Sequence, residues 1–314
     1  MLNRRHIRVK VMQLLYAFKN AESDDLKVPQ KFLLQSIDDM YNLYLVLLSL
    51  MIEVQLRAED YLLKSKEKHL ATHQDKNPNS KFVNNQLLLQ LRNNKSLQQV
   101  LEKKKPNNWK LDSDYVEIIF KEILESDLYK NYMKTETSSF AEDKKFVLDM
   151  FKNIVAPNEK LYDYLEDKKL TWLDDLPVVN TGIVKLIKKV KTDSPESYFL
   201  PELYKDEDDK EFAIDLLNKT ILNQVKYNKE IADKTTNWDS DRLALMDSIL
   251  LRMAISELQN FSSIPAKVTM NEYLEIAKEY STPKSSVFIN GILDKIVKEY
   301  TKNGKLNKIG RGLM

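Results

Sequence analysis

Only five glycines occur in this 314-residue chain, and two of them, Gly310 and Gly312, fall within the last five positions. Gly182, Gly291 and Gly304 are left to serve everything else. A β-rich fold needs glycine at its hairpins and bulges, and nine prolines add little further punctuation. With Leu, Lys, Glu and Ile abundant, the chain reads as long helices. The same scarcity excludes G-x-G-x-x-G and Walker phosphate loops and leaves no glycines for a serine nucleophile elbow. Cysteine is absent, which removes disulfides, thiolate metal sites and cysteine-nucleophile chemistry and suits a reducing cytoplasm.

Residues 41–52 (YNLYLVLLSLMI) form the longest uncharged apolar run, bounded by Asp39 and Glu53. The run is shorter than the roughly 20 residues a spanning helix needs, so a buried helix is expected and no membrane segment. The basic N-terminus is not followed by a signal-type apolar stretch, so no secretion signal is expected.

Charge is distributed unevenly. All 47 acidic residues lie between positions 21 and 300, whereas residues 1–20 carry Arg4, Arg5, Arg8, Lys10 and Lys19, and residues 301–314 carry Lys302, Lys305, Lys308 and Arg311. Two basic ends on an acidic body suggest a polyanionic partner. In the first helix, expected over 4–19, Ile7, Val11, Leu14 and Phe18 recur at spacings that make one core-facing stripe. Arg4 and Arg8 flank that stripe and Arg5 stands a step further round, so three guanidiniums are expected on one exposed arc. The planar fork of arginine binds phosphate through two hydrogen bonds and stacks on unpaired bases; a solvated basic helix end is the alternative. The lysines of the last segment read as a disordered basic tail.

Further along, a polar linker (23–29) precedes a long apolar helix near 31–66. A loop spans 68–81, helix resumes over 87–101 until the KKKPNN run at 103–108, and another amphipathic helix covers 112–132. Sliding the chain by 66 residues pairs Phe146 with Phe212, Asp149 with Asp215, Asp167 with Asp233, Lys168 with Lys234, Trp172 with Trp238, Asp175 with Asp241 and Ile183 with Ile249. An internal duplication of helical pairs is therefore expected. The reading is all-α: two helical bundles with an additional helical insertion, divided into an N-terminal bundle (1–130), a C-terminal region (131–300) and a basic tail (301–314).

Four separated segments share one likeness. WDSDRLALMDSILLRMAISEL (238–258), IPAKVTMNEYLEIAKEYS (264–281), FINGILDKI (288–296) and the opening RRHIR with Q-L-L-Y (4–8 and 13–16) resemble the NusB family of transcription antitermination factors, in the family's order. The match covers roughly 1–20 and 211–300, and the intervening region is additional. The resemblance implies two all-helical bundles, no catalysis and no cofactor. It also implies boxA-type single-stranded RNA and NusE, a ribosomal protein of the small subunit, as partners within the transcription elongation complex.

Residue by residue, the family's arginine-rich motif falls on Arg4, Arg5, Arg8 and Lys10, while His6 and Ile7 depart from it. The family's FVNG-type motif appears as Phe288, Ile289, Asn290 and Gly291. Glycine inside a helix costs about 1 kcal/mol against alanine and marks a close approach of backbone or ligand. Asn290 can read a base edge, Phe288 can stack on a base or serve the core, and Lys284 sets a cation near the start of that helix. Asp247, an acid among Leu243, Met246, Leu250 and Met253, is the candidate for the protein partner, with an intramolecular salt bridge as the alternative. Arg252 and Glu257 look structural, and Thr269 with Glu272 has the spacing of a capping box.

Other constellations are set aside. His69 and His73 lie one helical turn apart without an evident third ligand. Asp206, Glu207, Asp208 and Asp209 read as a solvated approach to a helix beginning near Lys210. Trp109, Trp172 and Trp238 read as core plugs. A ribosomal RNA cytosine methyltransferase would need the cysteine and the glycine-rich loop that are missing here. A helical scaffold for the transcription machinery with little specific RNA binding is the alternative function.

Overall fold

A computed structural model describes residues 2–19, 26–66, 78–235, 244–309 and 312. Among the described residues there are α-helices and short helical turns but no strand. The helices are α1 (Arg4–Ala17), α2 (Lys27–Lys66), α3 (Gln86–Arg92), α4 (Lys95–Lys104), α5 (Ser113–Glu125), α6 (Asp127–Tyr132), α7 (Phe140–Met150), α8 (Glu159–Lys168), α9 (Trp172–Lys189), α10 (Glu207–Leu222), α11 (Gln224–Lys234), α12 (Leu245–Asn260), α13 (Ala266–Tyr280) and α14 (Ser285–Lys302). A π-helical turn at Phe151–Val155 continues α7, and a 3-10 turn spans Glu196–Phe199. No described helix is long and apolar enough to cross a membrane.

The chain forms two compact units, one of residues 38–203 and one of residues 2–37 with 204–314. The expected boundary at 130 falls inside the first of these. In that unit the middle of α2, from Leu43 to Met51, is almost wholly buried, as the apolar run anticipates. Polar side chains pin other segments to it. Trp109 Nε1 donates to Ser49 Oγ, Trp172 Nε1 to the Asp39 carbonyl, and the Tyr44 hydroxyl to the Phe199 carbonyl. Trp109 and Trp172 are thus the core plugs expected, and Trp238, like His69 and His73, lies outside the described residues.

Two helices expected to be continuous are each broken by a residue whose side chain serves the backbone. Asn94 caps α4 by accepting from Leu97 N, splitting 86–104 into α3 and α4. Ser126 caps α6 in the same way through Tyr129 N, splitting α5 from α6. These short polar residues offer the chain a local alternative to the helical ladder.

In the second unit α12 is the axis. Ile249 through Leu258 are all buried, polar residues included, and α12 packs against α1, α10, α11, α13 and α14. A helix apolar on nearly every side belongs at the centre of a bundle. The 66-residue shift sets α8 (159–168) against 225–234, close to α11, so the two stretches are helical in both units.

Helix α1 departs from its expected orientation. Ile7, Val11, Met12 and Leu15 are buried together with Arg8, whereas Leu14 and Phe18 are only half-buried. At 100° per residue the core-facing direction is turned by about 60° toward Arg4 and Arg8. The tail departs too. Lys308 Nζ donates to the Phe261 carbonyl at 2.9 Å, Ile309 N donates to the Ser262 carbonyl at 3.1 Å, and burial pushes the Lys308 ammonium down. A Cβ on Gly312 would stand 1.9 Å from that same Ser262 oxygen, so the close approach requires glycine there.

Candidate nucleic-acid interface

The first turn of α1 begins at Asn3, whose side chain accepts from His6 N at 3.0 Å and so fixes where the arginines project. Arg4 Nε donates to Asp209 Oδ1 at 2.8 Å and the guanidinium lies over the Phe212 ring. Arg5 grips Glu272 through two bonds, Nε to Oε2 at 2.8 Å and Nη2 to Oε1 at 2.9 Å. That hydrogen bonding holds the Arg5 guanidinium above its ordinary range and the Glu272 carboxyl below the usual carboxylate range. Arg4 and Arg5 keep 38% and 43% of their side-chain surface exposed. Together with Asn3, Ile264 and Val268 they line an open groove of about 560 Å³.

Arg8 belongs to the core and not to an exposed arc. Its side chain is 2% exposed and meets Glu257, 0% exposed, through two 2.7 Å bonds. Thr269 Oγ1 donates to the same carboxylate at 2.7 Å and the Tyr273 hydroxyl at 3.3 Å. Burial by itself disfavours the Arg8 charge, but Glu257 outweighs it and holds the guanidinium above its ordinary range. Lys10, the fourth basic residue of the motif, is likewise buried. Arg8 leaves the set of surface contacts because α1 turns that side of itself to the bundle, and Lys10, on the opposite side of the helix, is covered as well, since every residue from Ile7 to Met12 is buried.

Asp247 is also corrected. It is buried, and it accepts from Ser281 Oγ at 2.6 Å and Ser285 Oγ at 2.9 Å, so it fixes the α13–α14 turn instead of facing a partner. Thr269 and Glu272 form no capping box, because α13 begins at Ala266 and both side chains reach across to other helices. Within the acidic run, Asp206 caps α10 through Asp209 N, and Asp209 is the partner of Arg4.

Lys284 and Asn290 are exposed and Phe288 is half-buried. Asn290 lines a groove between α13 and α14 with Asn271, Leu274 and Val287. Helix α13 thus borders both grooves, with Glu272 on one and Asn271 on the other. Gly291 has no atom within 4 Å of where a Cβ would stand, so no packing neighbour requires it. Gly291→Ala is expected to raise stability by about 0.5–1 kcal/mol, read as a higher urea midpoint at unchanged slope. A lower midpoint would mean that the backbone there needs glycine.

Sequence reasoning missed Glu257, Glu272, Asp209, Ser281 and Ser285 as the groups that hold the site. Their partners stand up to 267 residues away in the chain, a separation that no local spacing signals. No cluster of three or more His, Asp or Glu suited to a metal ion occurs among the described residues.

Comparison with known proteins meets this geometry mostly in the second unit, beginning at the end of α9 in the first. A sequence model of the NusB family matches residues 183–298. The chain is 40% identical over 129 residues to a transcription antitermination protein NusB of Chloroherpeton thalassium, covering 41% of this chain and 61% of that protein. A NusB of Salinibacter ruber is 41% identical over 112 residues, 36% of this chain and 70% of that protein. One of Natranaerobius thermophilus is 41% identical over 87 residues, 28% of this chain and 63% of that protein. No solved structure matches. The matches span less than two thirds of the first and third relatives and 70% of the second, and on that likeness, with a family-model match that includes α12, the chain belongs to the NusB family.

Proposed function

We propose that this chain is an RNA-binding adaptor of transcription antitermination, gripping boxA-type single-stranded RNA at the first turn of α1 and assembling with NusE in the elongation complex. One observation carries the reading: Arg4 and Arg5 stand half-open on a groove with most of their donors uncommitted. A guanidinium has five N–H donors. The Asp209 bond uses one of Arg4's, and the Glu272 bonds use two of Arg5's. The rest suit phosphate oxygens or a base edge, and Asn290 and Phe288 on α14, with Lys284 just before it, supply base-reading, stacking and phosphate groups. The carboxylates of Asp209 and Glu272 hold the arginines in place and compete with phosphate. The names of the relatives, all antitermination proteins, favour the same role.

Arg4→Ala combined with Arg5→Ala is the test. RNA affinity should fall, and the log-log salt slope should become shallower by about 1.4, at roughly 0.7 per phosphate contact on a single strand. Glu272→Gln, which loosens Arg5, should strengthen binding severalfold. Equal affinity in the double variant would remove this assignment. A salt slope near zero for the unaltered protein would favour the scaffold function instead, with NusE pull-down independent of RNA.

A further inference from the structure

Several helical lysines among the described residues pair with a carboxylate one turn away. Lys64 pairs with Asp60, Lys145 with Asp149, Lys219 with Asp215 and Lys298 with Asp294, each at 2.6–2.7 Å. The end of α9 breaks that habit. Lys185, Lys188 and Lys189 fall at i, i+3 and i+4, all exposed, and Lys191 follows just past the helix end. Positions one turn before them are Thr181, Val184 and Lys185, so the sequence offers no acid at helical spacing. Asp193 stands four residues after Lys189, but Val190 is already extended at ψ 143, which ends the helical geometry. Among the described residues none of the four lysines forms an ion pair.

Complementing the helix dipole accounts for Lys188 and Lys189 in the last turn but not for Lys185 a turn earlier. Lys144 Nζ already serves the terminal carbonyls of α9, donating to Val190 at 3.2 Å and Lys188 at 3.5 Å. It adds a fifth positive charge to one end of the helix, where like charges at i, i+3 and i, i+4 repel. No described carboxylate pairs with these lysines to offset that repulsion, which points to an anion supplied from outside. No large apolar side chain is exposed between Leu170 and Leu222, so this segment itself offers neither an apolar anchor for a protein partner nor a wedge for a bilayer. Lysines without apolar neighbours suit a repeating phosphate backbone.

We infer that Lys185, Lys188, Lys189 and Lys191, supported by Lys144, form a second phosphate-backbone contact for single-stranded RNA, on the unit of residues 38–203. The inference rests on the RNA reading above and extends it to the first residues of the family-model match, which lie on that unit. Its chemistry is electrostatic and independent of base sequence.

The test uses the full chain, an unstructured single-stranded RNA and the quadruple variant Lys185→Ala, Lys188→Ala, Lys189→Ala, Lys191→Ala. Affinity at low salt should drop on the order of tenfold, and the log-log salt slope should become shallower by about 2 to 3. Melting should be unchanged or slightly higher, since repulsion is relieved, and the corresponding four Lys→Arg changes should restore binding. Wild-type affinity and slope in the alanine variant, with binding weakened by Arg4→Ala and Arg5→Ala, would overturn this inference and leave the α1 groove standing. The converse pattern would sustain it and overturn the groove. Absence of salt-dependent RNA binding by the unaltered chain would remove both. Intact RNA binding with lost adsorption to phosphatidylserine vesicles, or to polyglutamate, would reassign the stripe to a membrane or an acidic protein.

Discussion

Arg8→Ala is expected to destabilise the unit containing α1 and α12 by about 3–5 kcal/mol, because it strands the Glu257 carboxylate in a site with no exposure. For a domain of this size that corresponds to a fall in melting temperature on the order of 10 °C. The direction follows from asymmetry. A buried ion pair gains little over an apolar pair of the same shape, but breaking one side leaves a charge without water or partner. Thr269 and Tyr273 still donate to Glu257 in the variant, yet neither supplies a positive charge. Arg8→Met together with Glu257→Gln should therefore recover part of the loss, since no unpaired charge is left and the amide oxygen still accepts from Thr269. Thermal melting followed by circular dichroism checks this. An unchanged melt with weakened RNA binding would show that Arg8 works at the surface after all.

Asp247→Ala is expected to cost about 2–3 kcal/mol, since hydrogen bonds to a charged acceptor are worth more than neutral ones and two hydroxyls lose theirs. The loss concentrates at the α13–α14 turn, where Ser285 Oγ also accepts from Thr282 N at 3.2 Å. The start of α14, from Lys284 just before it to Phe288 and Asn290 in its first two turns, should loosen, and amide hydrogen exchange over 285–290 should quicken. RNA affinity should weaken along with it. Asp247→Asn, which keeps one good acceptor, should lose less. If Asp247 instead met a protein partner, the melt and the exchange rates would stay as they are and only partner capture would fail.

Much of the fold was legible because its signals are local. Glycine scarcity, helical periodicity and the uncharged run at 41–52 pointed to helices and to a buried centre for α2, and burial of α12 follows from a segment apolar on nearly all sides. The breaks at Asn94 and Ser126 were missed because each depends on one side chain choosing a cap over the continuing ladder. In the candidate interface, the sequence singled out Arg4, Arg5, Asn290 and Lys284, which are all at least partly exposed. It misplaced Arg8, because a wheel drawn from four apolar positions fixes the core direction only loosely, Lys10, because α1 is covered on more than one side, and Asp247, because the hydroxyls it meets stand 34 and 38 residues away.

By itself the chain of residues determined its helices, its charge asymmetry and the motifs of its family, since these depend on neighbours three or four positions apart. Tertiary structure alone decided which way α1 faces, and so which arginine is buried against Glu257 and which ones stay open beside Asp209 and Glu272. Those pairings join residues 205 to 267 positions apart, where only the packed bundle brings opposite charges within reach.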